Sequence, residues 1–137
     1  MPRKPAPTYE QTTDGLKVRV KPKFLHDESE PARFKFIWAY TVEVENGTDT
    51  SWRLISRHWE IIDADGRTQI VDGEGVIGQQ PVIQPGGVFR YTSGAPLSTP
   101  SGMMRGQYFL EDDDGASLAA DIPLFSLDSP YDGSQPS

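Results

Sequence analysis

The chain contains no cysteine. Disulfide staples, thiolate zinc sites and cysteine nucleophiles are therefore excluded, and a reducing compartment fits the absence. Long apolar runs are missing as well, since no stretch approaches the ~20 apolar residues that a membrane-crossing helix needs. The start, Met1-Pro2-Arg3-Lys4-Pro5-Ala6-Pro7, is positively charged but is not followed by the apolar run of a signal peptide. These absences lead to the expectation of a cytoplasmic protein with no membrane partner. An excess of positive charge is also lacking. Among 137 residues, 13 Lys and Arg stand against 20 Asp and Glu, for a formal net charge of −7. A field of that sign repels phosphate backbones, so nucleic acid is not an expected partner.

What remains is an ordinary globular composition, 36% hydrophobic and 24% charged. A chain of this length fits one domain that buries roughly 68% of its unfolded surface, enough to dispense with staples. The expected boundaries are a flexible N-terminus over 1–14, a folded domain over 15–126 and a flexible polar tail over 127–137.

Period-two alternation dominates the folded part. Leu16, Val18 and Val20 alternate with Lys17, Arg19 and Lys21, and Pro22 places that strand at an edge or ends it. From Arg33 to Asn46, Phe34, Phe36, Trp38, Tyr40, Val42 and Val44 share one face, an aromatic and β-branched pattern that helical spacing does not fit. Asn46-Gly47 opens a turn. A strand over Trp52–Ile62 changes parity, with Trp52 and Leu54 on one face and Trp59 and Ile61 on the other. A β-bulge near Ser56 to His58 reconciles the two.

Asp63-Ala64-Asp65-Gly66 reads as a hairpin turn into Arg67–Val71. Val88–Ser93 forms another strand, followed by a loop containing Pro96 and Pro100. Met104–Glu111, the turn Asp112-Asp113-Asp114-Gly115 and Ser117–Phe125 close the chain. About seven strands with turn signals and no amphipathic helix predict an all-β fold, an antiparallel two-sheet sandwich, with a small barrel as the alternative.

Gly73-Glu74-Gly75-Val76-Ile77-Gly78 matches G-x-G-x-x-G. Such glycines let a backbone approach a pyrophosphate, and Gly73, Gly75, Val76 and Gly78 are the candidate phosphate-binding residues. Pro81 and Pro85 forbid the helix that the dinucleotide fold requires, so positive-φ turn chemistry is the competing reading. His26 and His58 are the only histidines, and no G-x-S-x-G elbow or H-E-x-x-H helix accompanies them. Asp72 and Glu74 alone make a poor metal-dependent hydrolase. Asp112, Asp113 and Asp114 suit a turn better than a cation loop. Arg57, His58 and Trp59 are the candidate interface, combining an aromatic with a cation.

The ordered run from Glu45-Asn46-Gly47 through Arg57-His58-Trp59 to Gly73-Glu74-Gly75-Val76-Ile77-Gly78-Gln79-Gln80-Pro81 resembles the ApaG family. So do Ile83-Gln84-Pro85-Gly86, Phe89-Arg90-Tyr91-Thr92-Ser93-Gly94 and Gly102-Met103-Met104-Arg105-Gly106-Gln107-Tyr108. The resemblance spans about Val18 to Phe125. It implies a sandwich of the immunoglobulin and fibronectin type III kind, in a small bacterial protein or as a domain reused in eukaryotic F-box and polymerase-interacting proteins, where it serves protein–protein interaction. It also implies an indirect connection with cobalt and magnesium efflux. The expectation is a noncatalytic module that needs no cofactor and binds another protein, with self-association through edge strands open. The alternative is a small-ligand binder holding pyrophosphate or a nucleotide phosphate at Gly73–Gly78.

Overall fold

The structure, a computed structural model, describes residues 7–131. Nine strands follow in order: β1 (Tyr9–Thr13), β2 (Leu16–Phe24), β3 (Phe36–Asn46), β4 (Trp52–Asp63), β5 (Thr68–Glu74), β6 (Val82–Ile83), β7 (Val88–Leu97), β8 (Gly102–Glu111) and β9 (Ser117–Leu127). They form two antiparallel sheets. One runs β1-β2-β3-β7 and the other β5-β4-β8-β9, with β6 beside β4. This is the expected β-sandwich, with no α-helix among the described residues and none long and apolar enough to cross a membrane.

The alternating residues build the core as their period requires. Leu16, Val18 and Val20 on β2, and Phe36, Trp38, Tyr40, Val42 and Val44 on β3, face Leu54, Trp59, Met104, Tyr108 and Phe125 of the other sheet. Trp59 packs edge-on against Tyr40, Tyr108 and Phe125. Burial of this kind contributes about 25 cal/mol per Å² of apolar surface and holds the sheets together.

Two hairpins fold by one device. Asp63 Oδ1 accepts from the Asp65 and Arg67 amides, and Asp112 Oδ1 accepts from the Asp114 and Ala116 amides. Gly66 and Gly115 take the positive φ that closes each turn. The β4 irregularity falls between Leu54 and Ser56, so Ile55 is the extra residue, one position before the expected bulge. It brings Leu54 and Trp59 to the same buried face.

Several strands depart from the sequence reading. Residues 9–13, expected as part of a flexible N-terminus, are β1, registered from Tyr9 opposite Val20 to Thr13 opposite Leu16. Short, polar strands of this sort are held by their ladder rather than by their own apolar pattern. Pro22 does not end β2, which runs on to Phe24. The β1 ladder stops at Val20, so Pro22 lacks a neighbour on that side and its missing N–H forfeits no bond there.

Pro96 likewise lies within β7, which is tolerated because β7 is the edge of its sheet. Phe34 is not on the core face of β3. It caps the 3-10 turn Pro31–Arg33 in the left-handed region and is 73% exposed. Leu127 is buried, and Tyr131 stacks on His26, so the described part of the C-terminal segment packs on the domain. The remainder of the expected tail, 132–137, lies outside the described residues, as does 1–6.

Candidate functional site

Alternation on β4 separates the three candidate interface residues. Trp59 is 2% exposed and belongs to the core. Arg57 shares its parity and leans toward the glycine loop. His58 turns to the outer face of the five-stranded sheet. A strand cannot present three consecutive side chains to one surface, so this trio is not one contact patch.

The outer face gathers other residues around His58. Cα partners align Asp72, His58, Gln107 and Asp121 in one row across β5, β4, β8 and β9, with Ile70, Glu60 and Arg105 in the next. His58 Nδ1 lies 2.6 Å from Asp72 Oδ1, and Nε2 lies 3.4 Å from Glu60 Oε2. Arg105 donates to Glu60 Oε1 from Nε at 3.2 Å and Nη2 at 3.0 Å. Gln107 Nε2 donates to Asp121 Oδ1 at 2.9 Å.

The bond to Asp72 raises the His58 pKa most, burial opposes it, and the contact with Glu60 adds a smaller upward effect. The Arg105 hydrogen bond, followed by that of His58, lowers the pKa of Glu60. An open groove of about 430 Å³ runs along these side chains, with Gln11, Ile122 and Leu124 on its walls. Ile70 on β5 and Met103 and Phe109 on β8 share the outward parity of Asp72 and Arg105, and with Leu124 they are between 39% and 52% exposed.

Sequence reasoning found His58 but missed Glu60, Asp72, Arg105, Gln107 and Asp121 as its neighbours. Their alternation with Trp59, Ile61, Met104 and Tyr108 carried the signal for a common face. Which residues stand opposite one another depends on the register, set by the Ile55 bulge and by a second irregularity between Met104 and Gly106.

The glycine motif has a different geometry. Gly73 and Glu74 end β5. Gly75 donates its amide to Ile55 O at 2.7 Å, and Val76 and Gln79 exchange amide bonds at 2.8 and 2.9 Å around Ile77 and Gly78. Both central residues of that turn have positive φ, 44° and 77°, the mirror-image form that suits a tight hairpin. Arg57 Nη1 donates to Glu74 O at 3.1 Å and Gly75 O at 2.7 Å, and its guanidinium fills the space beside Gly73. The Gly75, Val76 and Gln79 amides are thus spent within the protein, and β6 follows instead of a helix.

Between the sheets, the hydroxyls of Tyr91 and Tyr108 hydrogen-bond to each other. Burial raises the pKa of both phenols and of Tyr40, with Arg57 opposing the shift in each case. The pair remains neutral and ties β7 to β8.

A family model described as the ApaG domain matches residues 26–112. Protein ApaG of Maricaulis maris is 56% identical over 124 residues, covering 90% of this chain and 95% of that protein. Protein ApaG of Paramagnetospirillum magneticum is 51% identical over the same shares of each chain. Among solved structures, the protein described as ApaA from Bordetella pertussis is 42% identical. It superimposes with a TM-score of 0.82 over 85% of this chain and 94% of that one.

Proposed function

This chain belongs to the ApaG family, and we propose from that premise that it is a noncatalytic module whose five-stranded sheet binds another protein. The observation that carries the reading is the chain of mutually bonded groups from Asp72 through His58 to Glu60 and Arg105, on a face that also exposes Ile70, Met103, Phe109 and Leu124. Met103, Phe109 and Arg105 are of the residue types enriched at protein interfaces. The same bonding weighs against catalysis. Both His58 nitrogens face carboxylates, and among the described residues no hydroxyl nucleophile is bonded to the ring, whereas a general base needs a free lone pair aimed at a substrate proton. A cytoplasmic protein partner fits the acidic, cysteine-free chain. The indirect connection with cobalt and magnesium handling implied by the family would run through such a partner.

A small-ligand role for Gly73, Gly75, Val76 and Gly78 has weaker support. Arg57 brings a cation to the loop, but its guanidinium already binds two carbonyl oxygens, and the Gly75, Val76 and Gln79 amides are engaged within the protein.

Capture from a native lysate of an ApaG-encoding bacterium tests the leading proposal. The wild-type protein is expected to retain a specific partner that a folded Arg105→Glu variant loses. Retention of the same partner set by both proteins would contradict it.

A further inference from the structure

The two sheets present four edges, and they are not treated alike. β1 and β9 face each other, and the Asp121 amide donates to Thr13 Oγ1 at 3.1 Å across the gap. β7 carries Arg90 and Pro96, and charge and proline are the devices by which edges refuse a neighbour. β5 has neither. Its sequence Thr68–Glu74 contains no lysine, arginine, proline or bulge, and it keeps an unbroken register with β4. Among the described residues it pairs with β4 alone, so its other backbone edge is open. Thr68, Gln69, Ile70, Asp72 and Glu74 are all exposed, and Ile70 is 52% exposed.

We propose that β5 is a docking edge to which a partner protein adds an extended basic strand. The inference rests on the protein-binding reading above and names the partner's chemistry. An added strand would supply N–H and C=O groups to the open side of β5, with alternate side chains lying on the outer face. There lysines or arginines at alternate positions meet Asp72 and Glu74, and their aliphatic stems cover Ile70. Charge selects that partner. Asp72 and Glu74 lie on the edge strand and Glu60 on its neighbour, while His58, Arg105 and Arg57 are committed to bonds with Asp72, Glu60 and the loop carbonyls. Arg67 precedes the strand at its far end. A second copy of this chain is the poorer occupant, because its own β5 brings the same carboxylates and no cation.

The test uses the full chain, labelled with ¹⁵N, and two synthetic peptides of about eight residues, one alternating lysine with valine and the other glutamate with valine. Amide shifts and hydrogen exchange are followed at low and high salt. The lysine peptide is expected to shift the Thr68–Glu74 amides saturably and to slow their exchange, and the glutamate peptide to leave them unchanged. Asp72→Lys and, as a variant outside the His58 bond, Glu74→Lys should each weaken lysine-peptide binding about tenfold at low salt.

An equal response to both peptides, or no saturable response at Thr68–Glu74, would overturn the docking edge. Shifts confined to the Arg105–Asp121 side of the outer face would also overturn it while leaving the protein-binding reading standing. That reading fails separately if lysate capture shows no partner sensitive to Arg105.

Discussion

His58 on β4 and Asp72 on β5 stand directly opposite each other, with the imidazole Nδ1 2.6 Å from the carboxylate Oδ1. The bond joins the edge strand to the body of the sheet at the centre of the charged row. Glu60 on the same strand and Arg105 on β8 complete the set of ionic groups around the ring.

The stability this cluster supplies depends on pH in a fixed direction. The folded pKa of His58 is raised, chiefly by Asp72. The contribution is therefore full below the ordinary histidine value of about 6.5, as long as the carboxylates stay ionised, and is lost as pH rises through the folded pKa. Thermal melts of the wild type and His58→Ala should differ more near pH 6 than near pH 9. A difference that is constant or grows with pH would contradict the assignment.

The Tyr91–Tyr108 hydroxyl pair predicts non-additive mutations. Either single Tyr→Phe change leaves a buried hydroxyl without its partner and should cost roughly 1–3 kcal/mol. Removing both should cost less than the sum of the two, with a coupling on the order of 1 kcal/mol in urea denaturation. Additive costs would mean that each hydroxyl finds another partner.

Asn46 is fully buried at the end of β3. Its Nδ2 donates to Thr50 O at 2.7 Å and Ile83 O at 2.9 Å, while its Oδ1 accepts from the Thr48 amide and hydroxyl. Asn46→Ala should lower stability by about 2–4 kcal/mol in a denaturant titration, because several groups lose their partners together. A loss below about 1 kcal/mol would show that water replaces the amide.

Glycines of the chain separate by what a β-carbon would meet. At Gly106 it would lie 2.0 Å from the His58 carbonyl oxygen, so Gly106→Ala must push β8 from β4 and should cost about 3 kcal/mol or more. At Gly78 nothing lies within 4 Å, and only the positive φ is penalised, by about 1–2 kcal/mol. Gly78→Ala is therefore the cleaner probe of phosphate binding than a Gly75 variant, whose β-carbon would lie 2.0 Å from Gln79 O. Equal losses at Gly106 and Gly78 on denaturation would contradict the packing account.

Much of the fold was legible because burial writes itself into strands as alternation. β3 and the aspartate–glycine hairpins follow from residues adjacent in sequence, and the parity change on β4 announced a bulge. β1 and β6 were not legible, since polar or two-residue strands gain their order from neighbours. Phe34 was misplaced because alternation cannot register a left-handed turn. At the candidate site, His58 stood out as a residue type, but its partners are distant in sequence and meet only through register. Asn46 read as a turn residue and is instead a buried polar anchor, a role visible only when Ile83 of β6 is brought beside it.

The central claim is that the five-stranded sheet is the binding face. Its most direct test is amide hydrogen exchange on the protein with and without the partner recovered by lysate capture. The account predicts slowed exchange on β4, β5 and β8, with β2, β3 and β7 unchanged. Protection confined to β2, β3 and β7, or to the Gly75–Gln80 turn, would place the binding face elsewhere and contradict it.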